Sequence, residues 1–145
     1  MVNNAPSVKP GEPAELTAYL NGRWLPLSQA AVGIFDVGFV QGVTVAEQLR
    51  TFGGDLFRLE THLERLANSL QIVGLDPGLP LTELGEIAQQ LIQKNRTLID
   101  PEDDLGVTIF ITPGNSATYS AVAARSGPTV CVHTQPLSFI HWADK

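Results

Sequence analysis

Two adjacent glycines, Gly53 and Gly54, stand between a β-prone stretch over residues 43–52 and a short apolar run over residues 56–59. A glycine pair supplies the positive φ values of a two-residue hairpin turn, so the chain must reverse here and the flanking segments must pair antiparallel. The run over 56–59 then feeds a helix that opens on a capping box: Thr61 accepts from a backbone N–H three residues on, and Glu64 reaches back to another free donor. Leu63, Leu66, Leu70 and Val73 recur at helical spacing and mark the face that packs inward. Arg65 falls in the first turn of that helix. A cation there faces the positive end of the helix dipole, which is unfavourable unless an anion lies beside both. Two accounts fit: a guanidinium that is solvated or paired with Glu64 or Asp55, or one that waits for an anionic ligand.

Within residues 43–52, the polar side chains Thr44, Glu47, Gln48 and Arg50 do not alternate cleanly with apolar ones. Polar groups are therefore expected on both faces, one of which is covered. A buried charge needs a partner, and Glu47 and Arg50 are available to each other or to a ligand. An edge strand with a solvated face accounts for the same pattern.

The rest of the chain reads as strands and helices around this unit. Residues 1–14, with several prolines and few large apolar side chains, are expected to be a flexible leader. A strand over 16–20, an Asn21-Gly22 type I′ turn and a strand over 23–25 form a first hairpin. Residues 28–32 are read as a short loop. Gly74 is the expected end of the first helix, and the Pro-Gly segment over 75–80 forbids continuation. A second helix is predicted over 82–95, with Leu84, Ile87, Leu91 and Ile92 inward and Glu86, Gln89, Gln90, Gln93 and Lys94 outward. The acidic residues 100–104 read as a solvated loop, 105–112 as a central strand, 115–127 as a polar loop and 128–133 as the last strand. The sum is an α+β domain, a mainly antiparallel sheet with two helices on one side.

The whole sequence of 145 residues is the size of one domain, with 43% hydrophobic and 17% charged residues. No apolar run approaches the roughly 18 residues of a membrane span. A net charge of −6 with scattered Lys and Arg excludes a nucleic-acid surface. Cys131 is the single cysteine and sits in an apolar run, so it reads as a buried small hydrophobe in a protein of a reducing cytoplasm. His62, His133 and His141 lack metal-ligand spacing, and no metal site is expected.

The glycine loop at Gly38 and Gly42, the strand carrying Glu47, the Gly53-Gly54 hairpin, the Phe57-Arg58-Leu59 strand and the segment His62-Leu63-Glu64-Arg65-Leu66 together resemble the N-terminal part of the fold-type IV pyridoxal-phosphate enzymes. These are the branched-chain and D-amino-acid aminotransferases and aminodeoxychorismate lyase. The resemblance is specific over residues 16–70 and looser beyond. It implies the small N-terminal domain of the D-amino-acid aminotransferase-like fold over residues 15–145, with Arg65 on the phosphate of pyridoxal 5'-phosphate. It further implies that Phe39, Gln41, Glu47 and Thr108 line the substrate side. Gln41 stands where branched-chain members have tyrosine, Ala46 where an aromatic is common, and Thr108 where some members hold a carboxylate with arginine.

The cofactor needs a lysine. Of Lys9, Lys94 and Lys145, none sits where a desolvating pocket would activate it, so the Schiff-base lysine is expected beyond Lys145, in a C-terminal domain absent from this sequence. The chain alone should then not transaminate. The implied function is amino transfer between an amino acid and a 2-oxo acid, of the branched-chain type, in a homodimer. The alternatives are a lyase of the aminodeoxychorismate type and a non-catalytic association or anion-binding domain.

Overall fold

The structure, a computed structural model, describes residues 14–119 and 127–138. The leader up to Pro13, Lys9, Lys145, His141 and most of the predicted 115–127 loop lie outside the described residues.

Six strands form one antiparallel sheet: β1 (Thr17–Leu20), β2 (Arg23–Pro26), β3 (Val45–Phe52), β4 (Asp55–Leu56), β5 (Asp104–Thr112) and β6 (Thr129–Leu137), in the order β2-β1-β6-β5-β3-β4. Both hairpin turns follow the sequence. Asn21 and Gly22 have φ of 51° and 85°, and Gly53 and Gly54 have 59° and 90°, the positive pairs that match strand twist. Helices α2 (Leu59–Val73) and α3 (Leu81–Asn95) cover one face, α2 against β3 and α3 against β6 and β1. A single helical turn, α1 (Val37–Val40), precedes β3.

The core lies between sheet and helices. Val45 and Leu49 of β3, Leu105, Val107, Ile109 and Ile111 of β5, and Val130 and Val132 of β6 meet Leu66, Leu70, Leu84, Ile87, Leu91 and Ile92 of the helices. Burying such side chains supplies about 1.5–3 kcal/mol each relative to exposure, which is what makes the helix-covered face the stabilising one. Asn95, fully buried at the end of α3, accepts from Thr17 N at 2.8 Å and donates to Thr17 O and Thr134 Oγ1 at 2.8 and 2.7 Å, pinning α3 to β1 and β6.

Several expectations change. The helix expected to open at Thr61 starts at Leu59, because Arg58 takes a left-handed conformation (φ 53°) at the N-cap without any side-chain cap. Thr61 and Glu64 therefore sit inside α2 and form no capping box, and Arg65 lies beyond the first turn, out of reach of the dipole argument. The strand expected over 56–59 is confined to Asp55–Leu56. Val73 is half exposed, so the inner face of α2 ends at Leu70. Its C-terminus is as read: Gly74 N and Leu75 N bond Gln71 O and Leu70 O, a Schellman closure.

In β3 the burial alternates strictly, with Val45, Glu47, Leu49 and Thr51 inward. The expectation of polar groups on both faces, one of them covered, is met: Glu47 and Thr51 lie on the buried face and Gln48 and Arg50 on the other.

Candidate active-site face around Glu47 and Arg65

Glu47 is paired in register with Ile109, on the face that α2 covers, and its side chain is 4% exposed. A carboxylate there is tolerated only with partners, and α2 supplies two. His62 and Arg65 are three residues apart, the spacing that puts side chains on one helical face. Arg65 grips the carboxylate edge-on, Nε to Oε1 and Nη2 to Oε2 at 2.7 Å each, while His62 Nδ1 lies 2.9 Å from Oε2. An ionised carboxylate only accepts, so the His62 ring carries its proton on Nδ1.

The electrostatics follow from this contact. Burial pushes the Glu47 carboxyl up, but the hydrogen bonds and charges of Arg65 and His62 outweigh it and hold the group below the usual range. The hydrogen bonds that Arg65 donates to Glu47 in turn hold its guanidinium above the ordinary value. Arg65 is 65% exposed, and among the described residues Glu47 is its side chain's hydrogen-bond partner. A guanidinium has five N–H donors in a fixed fork, so the edge formed by Nη1 and the outer N–H of Nη2 is left without a hydrogen-bond partner among the described residues, on a side chain that is mostly exposed. That edge matches a phosphate or carboxylate bidentately. Arg65 does not pair with Glu64 or Asp55. Nor does Glu47 pair with Arg50, which instead donates to Asp104 Oδ2 at 3.2 Å.

The expected substrate residues divide between places. Phe39 lies on α1 and Gln41 just after it, and both are exposed. This segment is fixed by Asp36, 2% exposed, which accepts from Gly38 N at 2.7 Å and from Thr112 Oγ1 and Thr129 Oγ1 at 2.6 Å each. Gly38 is demanded by the close approach, since a Cβ there would stand 2.4 Å from Thr112 Cγ2. Thr108, paired with Gln48 and His133, faces away from the helices, on the side of the sheet opposite Glu47. Glu47 and Thr108 thus do not meet. Sequence reasoning missed Asp36 and left His62 without a role. Only the three-residue offset from Arg65 hinted at His62.

Three cavities, of about 370, 410 and 220 Å³, lie elsewhere: beside the acidic loop and Arg96, beside Arg58 and Gln93, and under Val32 beside Cys131 and His133. Arg65 lines none of them and opens directly onto the surface. Lys94, the lysine among the described residues, stands 5.3 Å from the Trp24 ring centre on the outside of α3. No helix of the described residues is long and apolar enough to cross a membrane.

The chain is 31% identical over 117 residues to the D-alanine aminotransferase of Bacillus licheniformis, covering 81% of this chain and 40% of that protein. It is 35% identical over 78 residues to the D-alanine aminotransferase of Staphylococcus aureus strain N315, covering 54% of this chain and 28% of that protein. The branched-chain amino acid aminotransferase of Escherichia coli superposes with a TM-score of 0.71 at 20% identity, over 86% of this chain and 40% of that one. A hypothetical aminotransferase from Mycobacterium tuberculosis, solved in its PLP-bound form, gives 0.71 at 20% identity, over 88% and 42%. At such identities the solved structures establish the shared fold, and the chain spans less than half the length of each of these four proteins. The amino-transferase class IV pattern matches residues 44–143, more than half of the chain, and with the fold it settles the family: the chain belongs to the class IV aminotransferases.

Proposed function

We propose that this chain is the N-terminal domain of a longer pyridoxal-phosphate-dependent aminotransferase and that it contributes the arginine that takes the cofactor's phosphate. The observation that carries the reading is the Arg65 guanidinium, locked by Glu47 along one edge and open along the other. Pyridoxal phosphate, when bound, supplies the electron sink through which an amino group leaves one carbon skeleton and joins another. The donor set fits its phosphate: a fixed cation with three N–H groups not bonded to Glu47, on a helix flank reachable from solvent. Arg65 would bind the phosphate, and Glu47 would orient Arg65. Phe39 and Gln41, on the segment that Asp36 pins, would flank the substrate, with Thr108 reached from the sheet's other face. The lysine that completes such a site would come from the remainder of the enzyme. Exposed Ile34 and Phe39, at 69% and 73%, support a covering neighbour here, the remaining domain or a second subunit of a homodimer.

The substrate is an amino acid with a 2-oxo acid. The branched-chain reading draws on the motif resemblance and on a fold neighbour at 20% identity, whereas the relatives named D-alanine aminotransferase share 31–35% of aligned residues, which favours a D-amino acid as donor. Assaying the complete enzyme with D-alanine and L-leucine separates the two. Pyruvate release from aminodeoxychorismate without amino exchange would move the reading to a lyase.

The cofactor reading is tested by titrating the complete enzyme with pyridoxal phosphate and following the visible absorbance of the bound form. A charge-assisted phosphate contact is worth about 1.5–3 kcal/mol, so Arg65→Ala should weaken binding roughly tenfold to 150-fold. An unchanged affinity would remove the basis for it.

A further inference from the structure

We infer that His62 is a positioning residue: its Nδ1–H sets the carboxylate plane of Glu47, which in turn aims the open edge of Arg65 at the phosphate. The inference rests on the reading of Arg65 given above and adds a residue to it. Arg65 is 65% exposed, and a long side chain on an open helix flank has many rotamers. What fixes it is the two-point contact with Glu47. That contact fixes direction only if the carboxylate is itself fixed.

Glu47 has two oxygens with about four acceptor sites between them. Arg65 fills one site on each oxygen, and a carboxylate held by this one flexible partner would swing with it. His62 supplies the third contact, 2.9 Å from Oε2, from a ring 21% exposed and so much less free to move than the guanidinium. Oε2 therefore accepts from a stiff donor and a mobile one together, and the stiff donor decides the plane. The guanidinium is planar and its fork must lie close to that plane to make both 2.7 Å bonds. The open edge then leaves α2 in one direction.

A purely structural histidine would serve the buried carboxylate without affecting which ligand binds. The test therefore compares two probes, pyridoxal phosphate and pyridoxal, which lacks the phosphate, on the complete enzyme by equilibrium binding. Asparagine places its Nδ2–H near the position of the histidine Nδ1–H, whereas glutamine places its amide farther out. His62→Ala and His62→Gln are expected to weaken pyridoxal phosphate about tenfold with pyridoxal affinity unchanged, and His62→Asn to recover to within about threefold of wild type. Equal losses for both probes, no loss in His62→Ala, or no recovery in His62→Asn while its thermal unfolding is native-like would overturn the positioning role. Arg65→Ala serves as the separate control. If it leaves the ratio of the two affinities unchanged, the phosphate contact itself fails. If it lowers that ratio while His62→Ala does not, only the inference about His62 fails.

Discussion

Replacing Asp36 tests how the segment carrying Phe39 and Gln41 is held. The carboxylate is 2% exposed and accepts three hydrogen bonds, from Gly38 N, Thr112 Oγ1 and Thr129 Oγ1, at 2.6–2.7 Å. Bonds to a charged acceptor contribute about 1.5 kcal/mol each at the low end, so Asp36→Ala should cost about 4–5 kcal/mol. The bond that Gly114 N donates to Thr112 Oγ1 at 3.0 Å persists but leaves the Thr112 O–H without its acceptor. For a chain of this size each kcal/mol moves the melting temperature by about 3 °C, giving a fall of roughly 12 °C. Asp36→Asn keeps an oxygen for Gly38 N and Thr112, and its amide donates to Thr129 Oγ1, whose hydroxyl simply turns. It loses only charge assistance and should cost about 1–2 kcal/mol. Differential scanning calorimetry measures both variants, and amide hydrogen exchange at Gly38 to Gln41 should quicken more in the alanine variant than in the asparagine one. Equal destabilisation by the two substitutions would mean that charge and shape, not bond count, govern the site. A loss under 1 kcal/mol for alanine would refute the view that Asp36 pins this segment.

Two further expectations concern pH and can be checked on the same chain. The folded Glu47 carboxyl lies below its ordinary value, so its contribution to stability is complete above about pH 4.5 and is lost as pH falls through the folded value. Glu47→Gln should flatten that acid limb in denaturant titrations between pH 3 and 6, and an unaltered limb would contradict the assignment. Cys131 behaves in the opposite sense. Burial pushes its thiol from 9.0 up to about 12, so the folded chain should resist iodoacetamide at pH 8 and react only on unfolding, and stability should decline as pH climbs above 9.

How much of this was readable depends on how far each determinant lies along the chain. The two hairpins, the Schellman end at Gly74 and the inner face of α3 were legible because turn chemistry and helical period act over a few residues. The start of α2 was not, since it depends on Arg58 adopting a left-handed conformation that local rules assign to glycine or asparagine. Asp36 could be read locally only as a cap for Gly38 N, because the hydroxyls it also holds lie 76 and 93 residues away.

Glu47 is the instructive case, because one fact explains both the uneven polar pattern of β3 and the site. Taken as a solvent-facing residue, it breaks the alternation of β3. Taken as inward-facing, it completes the series Val45, Glu47, Leu49 and Thr51 at period two. A carboxylate in that series must be compensated, and the compensation is legible one element later, where His62 and Arg65 fall three apart on the helix that covers the strand. The premise that Arg65 waits at a helix N-terminus gives way to a stronger one. Its direction is set not by the dipole of α2 but by a buried acid on β3, and a cation held that way keeps its outer edge fixed before any ligand arrives. A carboxylate within an otherwise uncharged inward series, with a cation and a histidine at helical spacing on the next element, is therefore the form in which such a buried, fixed ion pair is written in sequence.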